Sequence, residues 1–248
     1  KAGLALTAAS IATLWKVHQQ STDSEQLVER ALRDQLGDDY RSRMSESPVE
    51  ATRTKLPRIP TRSVRKRYVD GGHIQYSEHG KRTTLDVWKR PDLPADAEAP
   101  VVVQVHGGAW VLGDKEGQAY PLLAHLVERG WVCVSVTYRL SPRATWPDHI
   151  VDVKRALAWV KENIADHGGD PSWIALTGGS AGGHLCALAA LTPNDPQFQP
   201  GFEDADTEVQ AAVPFYGVYD LAGTTGSRSA IRMRDRFLAP RVFFRDPR

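Results

Sequence analysis

A lone serine stands among small residues in TGGSAGGH, residues 177–184, directly after the apolar run WIAL. Gly178-Gly179-Ser180-Ala181-Gly182 fits G-x-S-x-G, a pattern that sets serine at the apex of a sharp strand-to-helix turn with its hydroxyl exposed. Residues two before and two after such an apex approach it closely, and glycine alone brings no Cβ into that contact. The following helix would aim free N–H groups and its positive dipole end at the same point, favouring an oxyanion. The chemistry served is nucleophilic attack on an acyl carbonyl. The competing reading is a glycine-rich turn in which Ser180 is only the helix N-cap.

A second motif bears on that choice. His106-Gly107-Gly108-Ala109-Trp110 follows the run VVVQV. Acyl transfer needs N–H donors positioned for the tetrahedral oxygen, and small residues expose backbone N–H groups best. Gly107 and Gly108 can supply two such donors and Ala181 a third. Alone, HGG would read as a flexible loop. Two glycine-rich motifs, each closing a buried strand, favour the catalytic reading.

The positioning elements are legible as periodicity. VVVQV (101–105), WVCVSVTY (131–138), WIALTG (173–178) and VQAAVPFYGV (209–218) are near-continuous apolar runs, as expected of parallel strands buried on both faces. Helices are expected over 120–130, over the stretch that begins WPDHIVDVKRALAWV, and over 181–191. In the second, Ile150, Val153, Leu157, Val160 and Ile164 share one face, and Gly168 is its stop. This alternation predicts an α/β fold with a mostly parallel central sheet and helices on both faces. Upstream, VRKRYVDGGHIQYSEHGKRTTLDVWKRP reads as an antiparallel meander turning at DGG and HGK. Residues 1–62 read as an N-terminal helical segment and Pro-containing linker, and 63–248 as the core.

Composition narrows the function class. The 248 residues carry 31 basic and 30 acidic side chains, so no global field selects nucleic acid. Residues 53–67 hold seven cations and no acid, and the last 21 residues hold seven arginines. Both read as solvated surface, with contact to an anionic membrane surface as the alternative. Cys133 and Cys186 sit in apolar runs and read as small buried hydrophobes. No CxxC or HExxH spacing occurs, so neither a metal nor a cofactor is indicated. The apolar stretch 2–15 is shorter than the roughly 20 residues that span a bilayer and reads as a packed helix. Cytoplasmic residence is the default expectation, membrane association the alternative.

With HGGAW, YRLSP (138–142), WPDHIVDVKRALAWV (146–160), GGDPSWIALTGGSAGGH (168–184) and FYGVYDL (215–221), the chain resembles the α/β-hydrolase superfamily. Within it, the sequence is similar to the hormone-sensitive-lipase-like esterases, including mycobacterial Lip-type carboxylesterases. The resemblance covers about residues 63–225. It implies that Ser180 is the nucleophile, that Gly107, Gly108 and Ala181 form the oxyanion hole, and that His106 braces the oxyanion loop. It implies a lipase-like hydrolase whose substrates are small acyl esters or lipid-derived esters, with residues 1–45 and 221–248 contributing to a cap. Many relatives carry an acidic residue where this chain has Gly179, a departure shared with formamidase-like relatives.

Serine at neutral pH needs a base, and the base an orienting carboxylate. In this superfamily the order along the chain is Ser, then Asp or Glu, then His, yet no histidine follows His184. His184 and His149 read as packing residues; His18, His73, His79, His125 and His167 lack chemical context, and Asp220 reads as a local hydrogen-bonding group. The chain opens on Lys1 and closes at Arg248, and the expectation is truncation at both ends, with C-terminal strands missing and turnover weak. Three readings remain open: a serine carboxylesterase acting through a Ser180 acyl-enzyme, a formamidase-like amide hydrolase, and a non-catalytic hydrolase-like binding module.

Overall fold

The computed structural model describes residues 2–44 and 62–243, and these two segments belong to separate compact units. In the first, helix α1 (Ala2–Leu36) is followed by one 3-10 turn, Tyr40–Arg43. Gly37 ends the helix at φ +89°, its N–H still bonded to Arg33 O at 2.8 Å. Tyr40 then folds back, its hydroxyl donating to Glu29 Oε2 at 2.7 Å. Hydrogen bonds from Arg41, Tyr40 and Arg33 hold the Glu29 carboxyl down to about 2. No helix among the described residues is long and apolar enough to cross a membrane.

The second unit runs α2 (Arg62–Tyr68), β1 (Val69–Gln75), β2 (Thr84–Trp88), β3 (Ala99–Val105), α3 (Tyr120–Val127), β4 (Val132–Val136), α4 (Asp148–Asn163), β5 (Gly169–Gly179), α5 (Ala181–Leu191), β6 (Ala211–Phe215) and α6 (Arg228–Met233). A wide π-type helical stretch, Arg234–Phe243, continues from α6. The six strands form one sheet in the order β1-β2-β4-β3-β5-β6. The β1–β2 and β2–β4 pairs are antiparallel, whereas β4, β3, β5 and β6 run parallel. The α/β architecture expected from the sequence is therefore present.

Alternation within the valine runs divides the core between two faces. Val101, Val103 and Val105 point toward α4 and α5, joining Ile150, Val153, Leu157, Val160 and Ile164. Val102 points the other way, with Cys133, toward Val64 and Tyr68 of α2 and Leu123 and Val127 of α3. The predicted α4 face is fully buried, and Gly168 follows it in the left-handed conformation. Cys133 and Cys186 are buried free thiols, and burial pushes both thiol pKa values up.

Two expectations upstream of β3 are corrected. DGG is not a turn: Asp70, Gly71 and Gly72 lie inside β1, where the register slips against β2, and glycine suits such irregular pairing. Residue 62, expected as the last of the linker, belongs instead to a helix, Arg62–Tyr68, that buries Val64 and Tyr68. Residues 45–61, the rest of the proposed linker, lie outside the described residues. The HGK turn is present, as a 3-10 turn over Gly80–Arg82 between antiparallel strands.

Asp86 in β2 ties this edge together. Its fully buried carboxylate takes Arg65 Nε at 3.0 Å and Nη2 at 2.6 Å, the His73 N–H at 2.7 Å, and lies 3.7 Å from Lys115 Nζ. Removing one partner of a buried charge cluster leaves the others uncompensated. Asp86→Ala is expected to destabilise the fold by about 3 kcal/mol in urea denaturation. Arg33→Ala, which breaks the exposed pair with Glu29, should leave the urea midpoint nearly unchanged.

Candidate active site

Strands β3 and β5 are parallel neighbours, and Val105 pairs with Gly178. Both chains therefore leave the sheet side by side at its carboxyl edge. The HGG segment follows Val105, and the G-x-S-x-G turn begins at Gly178. A methyl group added at Gly107 would lie 2.7 Å from Gly179 O and 3.5 Å from Ser180 Cβ. One added at Gly178 or Gly182 would lie 2.5 or 2.2 Å from Val105 O. These contacts are the physical reason for glycine at 107, 178 and 182.

Ser180 occupies φ +56°, ψ −117°, a conformation costly for a non-glycine residue and found where surrounding structure enforces it. Its N–H donates to Phe215 O at 3.0 Å, and its carbonyl accepts from His184 N at 3.0 Å. The serine hydroxyl makes no capping bond to α5, which sets aside the N-cap reading. The apex of the turn carries a hydroxyl that the helix does not use.

The loop beside it, after β3, carries the backbone amides expected as donors. Gly107 N–H, expected to face the oxyanion, donates instead to Gln118 Oε1 at 2.8 Å, while Gln118 Nε2 donates to Gly107 O at 3.3 Å. Among the described residues no hydrogen bond takes the N–H of Gly108 or Ala109. Ala181, the first residue of α5, has no acceptor within its own helix. The loop is shaped by positive φ at Gly108 (132°), Ala109 (49°) and Trp110 (61°). A methyl at Gly108 would sit 2.0 Å from Leu112 O. Ala109 and Gln118 were invisible to motif reasoning, because their roles depend on how the loop closes on itself.

His106 is fully buried, its ring stacked on Tyr138 with centroids 4.3 Å apart. Nδ1 lies 2.8 Å from Gly107 O, and the Tyr138 hydroxyl donates to His106 O at 3.1 Å. It sits beneath the loop rather than facing the serine. His184 lies against Trp110 and Trp146, at centroid distances of 5.2 and 5.8 Å, and His149 contacts Ser141 Oγ through Nε2 at 3.2 Å. Trp110 and Trp146 also pack on Phe243, and Trp146 N–H donates to Val242 O at 2.9 Å. The stretch after α6 is thereby pinned to the loop that follows β3.

A histidine–carboxylate pair does exist: His167 Nδ1 lies 3.0 Å from Asp70 Oδ2. His167 precedes β5 whereas Ser180 follows it, and an eleven-residue strand spans on the order of 30 Å. The pair stands at the opposite sheet edge from the serine. Asp220 is held by the Thr224 and Thr225 N–H and hydroxyl groups; hydrogen bonds led by Thr225 lower its pKa to about 2. Its role is local, as expected.

Sequence reasoning also missed Tyr216. It follows β6 at φ +40° and is largely exposed. Its hydroxyl would meet a methyl at Gly179 at 2.6 Å. The phenol therefore fills the space that a side chain at 179 would need.

Comparison with known proteins places the chain in a family and a fold. The family described as BD-FAE matches residues 85–239. The chain is 66% identical over 154 residues to the probable carboxylic ester hydrolase LipM of Mycobacterium tuberculosis, covering 62% of this chain and 36% of LipM. It is 53% identical over 206 residues to esterase LipQ of the same organism, covering 80% of this chain and 48% of LipQ. It thus spans less than half the length of either relative. Among solved structures, the apo form of Thermogutta terrifontis esterase 2 matches with TM-score 0.57 and 25% identity, over 72% of this chain and 65% of that one. A truncated carbohydrate esterase from gut microbiota matches with TM-score 0.56 and 26% identity, over 63% and 59%.

The buried imidazoles make the site sensitive to acid. Burial lowers the pKa of His106, His149 and His184 to about 4 each, from an ordinary value near 6.5. Between those values the unfolded chain binds more protons than the native one, so stability rises with pH. Stability should be full above about pH 6.5 and fall as pH drops toward 4, by up to about 3 kcal/mol per ring. Urea midpoints measured from pH 7 to pH 4 test this; a flat profile would contradict it.

Proposed function

Because the chain belongs to the BD-FAE family, we propose that it acts as a serine carboxylic ester hydrolase with Ser180 as nucleophile. Ser180 Oγ attacks the acyl carbonyl of a small ester, and the N–H groups of Gly108, Ala109 and Ala181 hold the tetrahedral oxyanion. The α5 dipole adds to their field. His106 braces the loop from below. Gly107 is the close-contact residue, its N–H held by Gln118. Collapse of the intermediate expels the alcohol and leaves an acyl-enzyme, which water then hydrolyses.

The observation that carries this reading is the strained serine, whose Cβ would be 3.5 Å from a methyl at Gly107. The names carried by LipM and LipQ support the ester as substrate class. Fixed amides in this position are worth about 10²–10³ in rate each. Proton removal is a separate requirement. In residues 62–243, the histidine paired with a carboxylate through Nδ1 is His167, at the far sheet edge. The 248-residue chain is therefore expected to acylate slowly and to turn over weakly.

Active-site labelling by a fluorophosphonate checks the assignment. Labelling should depend wholly on Ser180 and vanish in Ser180→Ala, while hydrolysis of short-chain esters stays weak. Persistent labelling of Ser180→Ala would contradict the nucleophile. Rapid, Ser180-dependent turnover would show that one of the chain's own histidines serves as base.

A further inference from the structure

Beside the proposed oxyanion loop lies a groove of about 630 Å³ bordered by Arg82, Val111, Arg139, Leu140, Arg143 and Asp148. Its cations are in different electrostatic states. Arg139 is committed, forked onto the buried Asp152 at 2.7 and 2.8 Å and reaching Asp148 at 3.2 Å. Arg82 is exposed; its Nη1 donates to the neutral carbonyl of Gly113 at 2.9 Å, which orients the guanidinium without cancelling its charge. Arg143 is exposed, and among the described residues neither it nor Arg82 forms an ion pair. Asp148 opens α4 at the groove wall, so the positive end of that helix faces the same space. Val111 and the buried Leu140 supply an apolar floor.

The groove is joined to the proposed oxyanion loop by backbone bonds. Val111 N–H donates to Gly108 O at 3.0 Å, and Ser141 N–H to Trp110 O at 2.8 Å. A ligand seated here would rest against the loop proposed to hold the oxyanion. Two uncommitted guanidiniums over an apolar floor match a planar or tetrahedral oxyanion on a hydrocarbon stem, since arginine binds carboxylate and phosphate through paired N–H donors.

We propose that this groove is a subsite for an anionic group, a carboxylate or phosphate on an apolar stem, held by Arg82 and Arg143. This deepens the ester-hydrolase reading by giving its substrate class a negative charge at one end. Binding is measured without turnover, so the subsite and the Ser180 assignment fail separately.

Titration calorimetry of the 248-residue chain with monobutyl phosphate, at low ionic strength and with butanol as control, tests it. Saturable binding is expected for monobutyl phosphate only, weakened at least about tenfold in Arg82→Gln/Arg143→Gln and weakened by added salt. Arg143→Lys, which keeps the charge, should retain part of the affinity, and fluorophosphonate labelling of Ser180 should be unchanged in all variants. A second arm uses phosphatidylcholine vesicles with and without phosphatidic acid. Sedimentation that needs both phosphatidic acid and the two arginines, without binding of the soluble ester, assigns the anion to a lipid headgroup. Binding of monobutyl phosphate alone assigns it to a soluble ester. Absence of saturable binding in both arms, or equal binding by the double variant, overturns the proposal.

Discussion

The parallel pairing of β3 with β5, with Val105 opposite Gly178, is the constraint on which the rest of the site depends. It makes two chain segments, separated by more than seventy residues of sequence, leave the sheet at the same edge and in contact. Their closeness explains the glycines. At 107, 178 and 182 a Cβ would strike the neighbouring strand or turn, so these positions report packing before they report chemistry. A register slip would move every side chain of the strand to the other face, and the valines of β3 oppose it from both faces.

The site is built largely from neutral groups. The glycine-rich loop after β3 and the start of α5 meet at the serine, while burial lowers the pKa of the nearby imidazoles, His106 and His184. Charge is buried elsewhere, in places that hold elements together. Asp86 joins β2 to α2, Asp152 holds Arg139 after β4, and Lys154 of α4 reaches Thr192 O beyond α5 together with Gln199 and Thr207. Each stabilises the frame only while its partners are present.

Much of this was legible in the sequence because it rests on short-range rules. The apolar runs announced β3, β4 and β5, the 3.6-residue period announced α4, and G-x-S-x-G after a buried strand announced the elbow. Element ends were less legible: the apolar run 209–218 contains a strand of only five residues, Ala211–Phe215, because apolar character alone does not say where pairing stops. DGG misled, since glycines serve an irregular strand pairing as readily as a turn. The closure of the loop after β3 could not be read at all. Gln118 reaching back to Gly107, positive φ at Ala109 and Trp110, and Tyr216 lying over Gly179 each depend on contacts between distant residues with no local signature. His167 with Asp70 shows the reverse hazard, a residue pair with catalytic chemistry placed at the wrong edge of the sheet.

The most direct test of the account is a crystal structure of the chain with Ser180 phosphonylated. A phosphoryl oxygen is expected within about 3 Å of the N–H groups of Gly108, Ala109 and Ala181. A phosphoryl oxygen turned to solvent, with the 107–110 loop drawn away from the serine, would contradict it.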